Sequence, residues 1–318
     1  MLDHSDRVPL LEVQHLDVHF AAKKGLIKAV DDVSFNLYPG ETLAIVGESG
    51  CGKTTTGMAV IDLITPTAGD IIFDGLNLRD ANKLEKRALK KRLQIVFQDP
   101  YSSLNPRMTL AKTLDQPLKI HGYNAAERRD KIAYLLDKVG LNPSQASRYP
   151  HEFSGGQRQR IGIARALALE PEVIICDEAV SALDVSIQAQ IINLLIDLQD
   201  EFKLSYLFIS HDLAVVEHMA DRVAVMYLGK IVETAPFTEL YSNPQHPYTQ
   251  ALLSAIPVAD PRRKPSRKLL KGELPSPLDP PSGCYFHPRC PRATSQCYIE
   301  QPAARSVSEQ HFVNCHNL

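Results

Sequence analysis

From Leu10 to Phe20 apolar and polar positions partly alternate, with Leu11, Val13, Leu16 and Val18 set against Glu12, Gln14, Asp17 and His19. A period of two predicts a half-buried strand. Lys23-Lys24-Gly25 predicts a loop. Val30 to Leu37 predicts a second strand, closed by the turn Tyr38-Pro39-Gly40. Glu41-Thr42-Leu43-Ala44-Ile45-Val46 is an apolar run of strand length, and Thr55 to Ile64 reads as a helix carrying Met58, Val60, Ile61 and Leu63. A turn at residues 65–69 leads into a strand over Asp70-Ile71-Ile72-Phe73. Asp74-Gly75 turns again, a charged helix spans roughly Asp80 to Arg92, and the apolar strand Leu93 to Phe97 delivers Gln98.

Between about residues 100 and 165 the strand signals disappear. Ala125 to Val139 has helical spacing, with Ile132, Leu135, Leu136 and Val139 on one face, and Pro143, Pro150, Gly155 and Gly156 punctuate the rest. This predicts a helical insertion into an α/β core. The core resumes at Val173-Ile174-Ile175-Cys176-Asp177-Glu178, a continuous apolar run of the kind buried on both faces. A helix over Ile187–Glu201 and strands at Tyr206–Ser210, Val223–Tyr227 and around Lys230–Glu233 follow. Beyond about residue 257, Pro261, Pro265, Pro275, Pro277, Pro280 and Pro281 sit among basic residues, which predicts an extension with little core of its own. The expected organisation is a core in two parts, residues 1–98 and 166–240, a helical subdomain at 99–165 and an extension at 241–318.

Gly47-Glu48-Ser49-Gly50-Cys51-Gly52-Lys53-Thr54 fits the phosphate-binding pattern G-x-x-x-x-G-K-[ST], between a strand and a helix as that pattern requires. Glycines let successive backbone N–H groups converge on phosphate oxygens, and the helix N-terminus adds partial positive charge. Lys53 suits the β/γ-phosphates and the Thr54 hydroxyl suits Mg²⁺. Asp177-Glu178 at a strand end supplies one carboxylate for the metal and a second for polarising a water. Ser154-Gly155-Gly156-Gln157 ahead of a helix is either a capped helix start with a glycine turn or a further anion-binding turn, which would hint at a site assembled from two subunits.

Together with Gln98, Ser181-Ala182-Leu183-Asp184 and His211, these residues resemble, in order and spacing, the nucleotide-binding subunits of ABC transporters over roughly residues 10–235. The resemblance implies an α/β P-loop NTPase core of the RecA-like type, with an antiparallel β subdomain and the helical insertion. It implies that Phe20 stacks on adenine and that residues Gly47, Glu48, Ser49, Gly50, Cys51, Gly52, Lys53, Thr54 and Thr55 cradle the phosphates. Thr54, Gln98 and Asp177 are implied as Mg²⁺ ligands, Glu178 as catalytic base, Gln98 as the link to the membrane partner and His211 as a γ-phosphate switch. Ser154, Gly155, Gly156 and Gln157 would cap ATP bound by the opposite subunit, with Asp184 at the dimer seam. Ala179 and Phe153 depart from the family's usual proline and leucine without removing a chemical group.

Residues 243–253, residues 272–277 and Gln98 to Arg107 look like the oligopeptide/dipeptide importer branch. That branch implies a second ATPase chain (a copy or a relative), two membrane permeases and an extracytoplasmic solute-binding protein. The cargo is a peptide or, on the same tail, a nickel complex or other small solute. A non-transport ABC ATPase usually carries two cassettes or a long coiled coil, and neither is visible here. A non-hydrolysing subunit fits poorly with Lys53, Glu178 and His211 all present.

Composition adds limits. Of 318 residues 44% are hydrophobic, enough for a large core, and the net charge of −2 lacks a nucleic-acid footprint. Without an apolar run of spanning length or a signal-peptide pattern, the chain is expected at the cytoplasmic face of the membrane, attached through its partners. Four of the 6 cysteines, Cys284, Cys290, Cys297 and Cys315, are spaced C-x₅-C-x₆-C-x₁₇-C at the end of the chain. Four thiolates suit zinc or a four-iron cluster on ligand count, while paired C-x₂-C hairpins typical of structural zinc are missing. Resemblance to the importer tail favours [4Fe–4S]; four unligated thiols are the alternative. The tail is expected to be a structural appendage whose loosening leaves nucleotide binding largely intact. Cys51, near a lysine and a helix N-terminus, is expected to be either a reactive thiol of lowered pKa, protected by Mg-ATP from alkylation, or a small residue that fills space.

Overall fold

The structure, a computed structural model, describes residues 8–23, 25–256, 270 and 272–318; Lys24 of the expected loop and Pro261 and Pro265 of the extension lie outside them. β1 (Leu11–Ala22) and β2 (Gly25–Leu37) pair antiparallel from Leu11↔Leu37 to Ala22↔Gly25. β2 starts five residues before Val30, because cross-strand pairing with β1 carries Gly25 to Ala29, a stretch without apolar–polar alternation, into the ladder. β3 (Thr42–Val46) is buried throughout and runs into α1 (Lys53–Val60). The helix begins at Lys53 rather than Thr55, because Gly52 in the left-handed region is its N-cap. It ends before Leu63, which is 56% exposed and no part of the core. β4 (Ala68–Phe73) and a short β5 (Leu76–Asn77), unanticipated from sequence, complete the sheet β2-β1-β4-β5, all antiparallel.

α2 (Lys83–Arg92) opens with a reciprocal cap between Asn82 and Glu85, and β6 (Leu93–Val96) follows it directly. The inserted helices are α3 (Leu110–Ile120), α4 (Ala125–Lys138) and α5 (Gly155–Leu167). α3 escapes the sequence reading because Pro117 interrupts it, yet Leu110, Leu114 and Leu118 stack at a spacing of four and are all buried. β7 (Val173–Asp177), α6 (Val185–Phe202) and β8 (Ser205–Ser210) match the expected core elements. β7 lies between β6 and β8, parallel to β6 in the register Val96↔Cys176.

After α7 (Leu213–Val216) come β9 (Arg222–Tyr227) and β10 (Lys230–Pro236), then α8 (Phe237–Ser242) and α9 (Pro247–Ser254). The expectation of a tail with little core is corrected. β11 (Ala304–Ser308) and β12 (His311–Asn314) extend a sheet in the order β11-β12-β10-β9-β3, with β12 antiparallel to β10 at Glu233↔Val313. Tyr248, Phe286, Cys297, Val313 and Cys315 are buried. The Glu233 carboxylate accepts from His311 Nε2 (2.8 Å) and from the backbone N–H groups of Gln245 (2.7 Å) and His246 (2.9 Å). One buried acid thus ties β12 and the start of α9 to β10.

By internal contacts the chain falls into two units. Met1–Tyr38, Thr42–Asp80 and Ile209–Leu318 form the first, and Pro39–Glu41 with Ala81–Phe208 the second. Among the described residues no helix is long and apolar enough to cross a membrane.

Candidate nucleotide site

In the first unit the phosphate loop leaves β3 and closes around its own lysine. Lys53 Nζ donates to the carbonyls of Gly47 (2.9 Å) and Glu48 (3.1 Å), and the residue is 4% exposed. Two glycines are dictated by close approach. A Cβ on Gly47 would lie 2.1 Å from the Met226 carbonyl oxygen, and one on Gly52 2.1 Å from that of Ala29. Such distances leave no room for any side chain. Ser49 and Gly50 are exposed, and Thr54 and Thr55 half-buried at the head of α1. Phe20, near the end of β1 opposite Ile27, keeps 40% of its surface exposed.

Cys51 corrects an expectation. It is 1% exposed, and burial pushes its thiol up, the nearby Lys53 only partly opposing that. The helix-terminus argument fails because desolvation of the thiolate outweighs it. His211 is exposed in the turn after β8, where the Asp212 N–H donates to Ser210 Oγ at 3.0 Å and Asp212 Oδ1 caps α7.

In the second unit the structure brings two predicted residues together: Gln98 Nε2 donates to Glu178 Oε2 at 2.7 Å. Glu178 has a φ of 47°, a left-handed conformation unusual for a long side chain. Its carbonyl is held by the N–H and hydroxyl of Ser181, both at 3.0 Å. Strain of this kind persists only where surrounding bonds over-determine it, and it clusters at functional sites. Asp177, at the end of β7, is 3% exposed.

Ser154 is the N-cap of α5, reciprocally bonded with Gln157: Ser154 Oγ accepts from the Gln157 N–H, and Gln157 Oε1 from the Ser154 N–H. A Cβ on Gly156 would meet Ile187 Cγ2 at 2.5 Å. Asp184 caps α6, and hydrogen bonds from the Ile187 N–H and Ser186 hold its carboxyl below the usual range. The sequence reading missed two arginines of α5. Arg158 stacks 3.6 Å from the Tyr101 ring centroid, and Arg165 donates to the Ser103 carbonyl, so the segment after Gln98 is held against α5.

The four tail cysteines share one module. Cys284 is pushed up to about 11 by burial and by the neighbouring Cys297, Cys315 and Cys290. Backbone N–H groups reach Cys290 Sγ from Arg292 (3.4 Å), Cys297 Sγ from Thr294 (3.5 Å) and Cys315 Sγ from Asn317 (3.4 Å). Among the described residues, however, the group of metal-capable side chains with ligand atoms within 4.8 Å of one another is Asp17, His19 and Asp31, not the cysteines. Four thiolates about 2.3 Å from one zinc would be closer together than that, so the arrangement does not fit zinc. The Asp31 carboxylate is already shared with Lys28, Lys230 and Tyr285.

Two family models match the chain: ABC transporter over residues 30–181, and oligopeptide/dipeptide transporter, C-terminal region, over residues 232–297. The oligopeptide transport ATP-binding protein AppF of Bacillus subtilis is 55% identical, the match covering 96% of this chain and 97% of that protein. A probable peptide ABC transporter ATP-binding protein of Sinorhizobium fredii, y4tS, is 52% identical over 96% of this chain and 89% of its own length. Among solved structures, the cassette MJ0796 in a dimeric post-hydrolysis state bound to ADP and Pi is 27% identical. It superposes with a TM-score of 0.65 over 71% of this chain and 98% of that one. The protein cbiO1 of Clostridium perfringens, part of the ABC transporter complex cbiONQ, gives 0.66 over 74% of this chain and 91% of its own, also at 27% identity.

Proposed function

The chain belongs to the ABC transporter family as an ATP-hydrolysing subunit for peptide import, and we propose specific roles for its residues. Lys53 and the backbone of Gly47 to Thr55 bind the β/γ-phosphates, and Phe20 stacks on the adenine. The hydroxyl of Thr54, the carboxylate of Asp177 and the amide oxygen of Gln98 are hard oxygen donors that suit Mg²⁺. The ion, when bound, neutralises charge on the phosphates. Glu178 accepts the proton of the attacking water. His211 and the Ser154-Gly155-Gly156-Gln157 turn contact the γ-phosphate, the turn acting on ATP held by the opposite subunit, with Asp184 at that seam.

The observation that carries the hydrolytic reading is the Gln98–Glu178 bond on a strained backbone. Donation by Gln98 Nε2 orients that amide so that its oxygen is available to a cation, and it fixes the carboxylate without protonating it. Phosphoryl transfer to water needs little covalent chemistry from the protein, mainly positioning and charge stabilisation. Two ATPase chains, alike or related, would close over two nucleotides at the cytoplasmic face and drive a pair of permeases fed by a solute-binding protein.

The test is uptake. A strain lacking the chain is expected to lose import of labelled di- and oligopeptides and to recover it with the native chain. Loss of nickel-complex uptake with peptide uptake unchanged would replace the cargo.

We propose, as a finer reading, a [4Fe–4S] cluster on Cys284, Cys290, Cys297 and Cys315, no three of whose sulfurs lie within 4.8 Å of one another in this structure. Ligand count supports it, as do the N–H donors aimed at the sulfurs, a common feature of cluster sites. Anaerobic purification is expected to yield brown protein with iron and sulfide each near four per chain. Colourless protein without iron discards the cluster.

A further inference from the structure

The loop between the first two tail cysteines, Cys284 to Cys290, grips the nucleotide-binding half of its own unit at three points. Tyr285 donates its hydroxyl hydrogen to Asp31 Oδ2 at 2.6 Å, on β2. Phe286, 1% exposed, packs edge-on to Tyr227 at 5.2 Å between centroids and tilts against Tyr248 at 5.5 Å. Arg289 forms a fork on Glu48 inside the phosphate loop, Nη1 to Oε2 at 2.8 Å and Nη2 to Oε1 at 3.1 Å, with its side chain 8% exposed. Tyr248, from α9, takes the Glu48 backbone N–H on its hydroxyl at 2.9 Å. The tail therefore holds both the backbone and the carboxylate of one phosphate-loop residue.

Glu48 places a negative charge in a loop whose task is to receive a polyanion. A carboxylate there repels the phosphates unless it is compensated, and a planar guanidinium meeting both oxygens compensates it with fixed geometry. We infer that Arg289 is a positioning residue for ATP binding: it neutralises Glu48 and fixes the entry of the phosphate loop from within the cysteine module. The tail is thus in direct contact with the phosphate loop, and loosening it is expected to weaken nucleotide binding. Arg289 adjoins Cys290, so whatever holds the sulfurs also sets the arginine.

The inference rests on ATP binding at the phosphate loop, so binding of a fluorescent ATP analogue by the unaltered full-length chain is measured first. No binding there overturns that reading itself. With binding in hand, Arg289→Ala is expected to raise the dissociation constant for the ATP analogue by about threefold to thirtyfold, the usual range for a residue acting through another. The loss should be larger for ATP than for ADP, because the uncompensated charge opposes the more charged ligand. The double variant Arg289→Ala, Glu48→Gln should recover most of the affinity, since the repelling charge is gone. A merely structural arginine gives no such rescue. Arg289→Lys, which keeps the charge and the bulk of the side chain, should lose less than Arg289→Ala, and it covers the case in which alanine unfolds the module. Unchanged affinity in folded Arg289→Ala, failure of Glu48→Gln to rescue it, or a lysine variant as weak as alanine each overturns the inference.

Discussion

Glu178→Gln is expected to bind Mg-ATP as the native chain does and to lose hydrolysis by about 10²- to 10⁴-fold, the usual contribution of a general base. The substitution is nearly isosteric, and the amide oxygen of the new side chain can still accept from Gln98 Nε2, 2.7 Å from the carboxylate in the native chain. Backbone strain does not confound the comparison. Glu178 adopts a φ of 47°, and glutamine bears the same cost there as glutamate, because both carry the same Cβ and Cγ. What changes is the capacity to take a proton. Blocked at that step, ATP should persist in the site, and size-exclusion chromatography with Mg-ATP should show a dimer that the native chain forms only transiently. Turnover in a permease-containing preparation separates the outcomes: a normal rate in Glu178→Gln removes the residue from the role of base.

Lys53→Ala is expected to fail at the earlier step, binding itself. The ammonium donates to the Gly47 and Glu48 carbonyls and so shapes the loop before it meets a phosphate. Charge-assisted hydrogen bonds contribute about 1.5–3 kcal/mol each. Loss of one or two to the phosphates predicts weakening of about 10- to 10³-fold or more in ATP affinity, read by equilibrium dialysis. The fold should survive, because the flanking strand Thr42–Val46 and the Gly47 and Gly52 close approaches do not depend on the lysine. Circular dichroism should therefore match the native chain. Retained ATP affinity in the alanine variant excludes Lys53 as a phosphate ligand. The two variants form a pair: one binds without turning over, the other does not bind.

The elements of the core and the chemistry they carry are legible in the order of the amino acids alone. Buried strands such as Val173–Asp177 are legible because burial on both faces demands an unbroken apolar run. The phosphate loop is legible because only glycine fits where Met226 and Ala29 carbonyls approach to 2.1 Å of a would-be Cβ. Ser154 and Asp184 are legible because helix N-caps accept only a few short polar side chains, and both serve as such caps. These signals are local; each is written within a few residues of the feature that it specifies.

Tertiary structure decided what depends on distance along the chain. Pro117 hid α3 from propensity, and only the stacking of Leu110, Leu114 and Leu118 into a buried face makes it a helix. Proximity to a lysine predicted an activated Cys51, whereas desolvation, a property of the folded interior, raised it instead. The tail reads as a proline-rich appendage because its apolar residues are sparse and aperiodic. Yet Val313 joins the sheet opposite Glu233, and Phe286 packs against Tyr227 and Tyr248. Arg289 reaches Glu48 across 241 positions of sequence. No periodicity or motif encodes a contact of that separation, since its partners are brought together only by the folded unit, and there the fold alone decides.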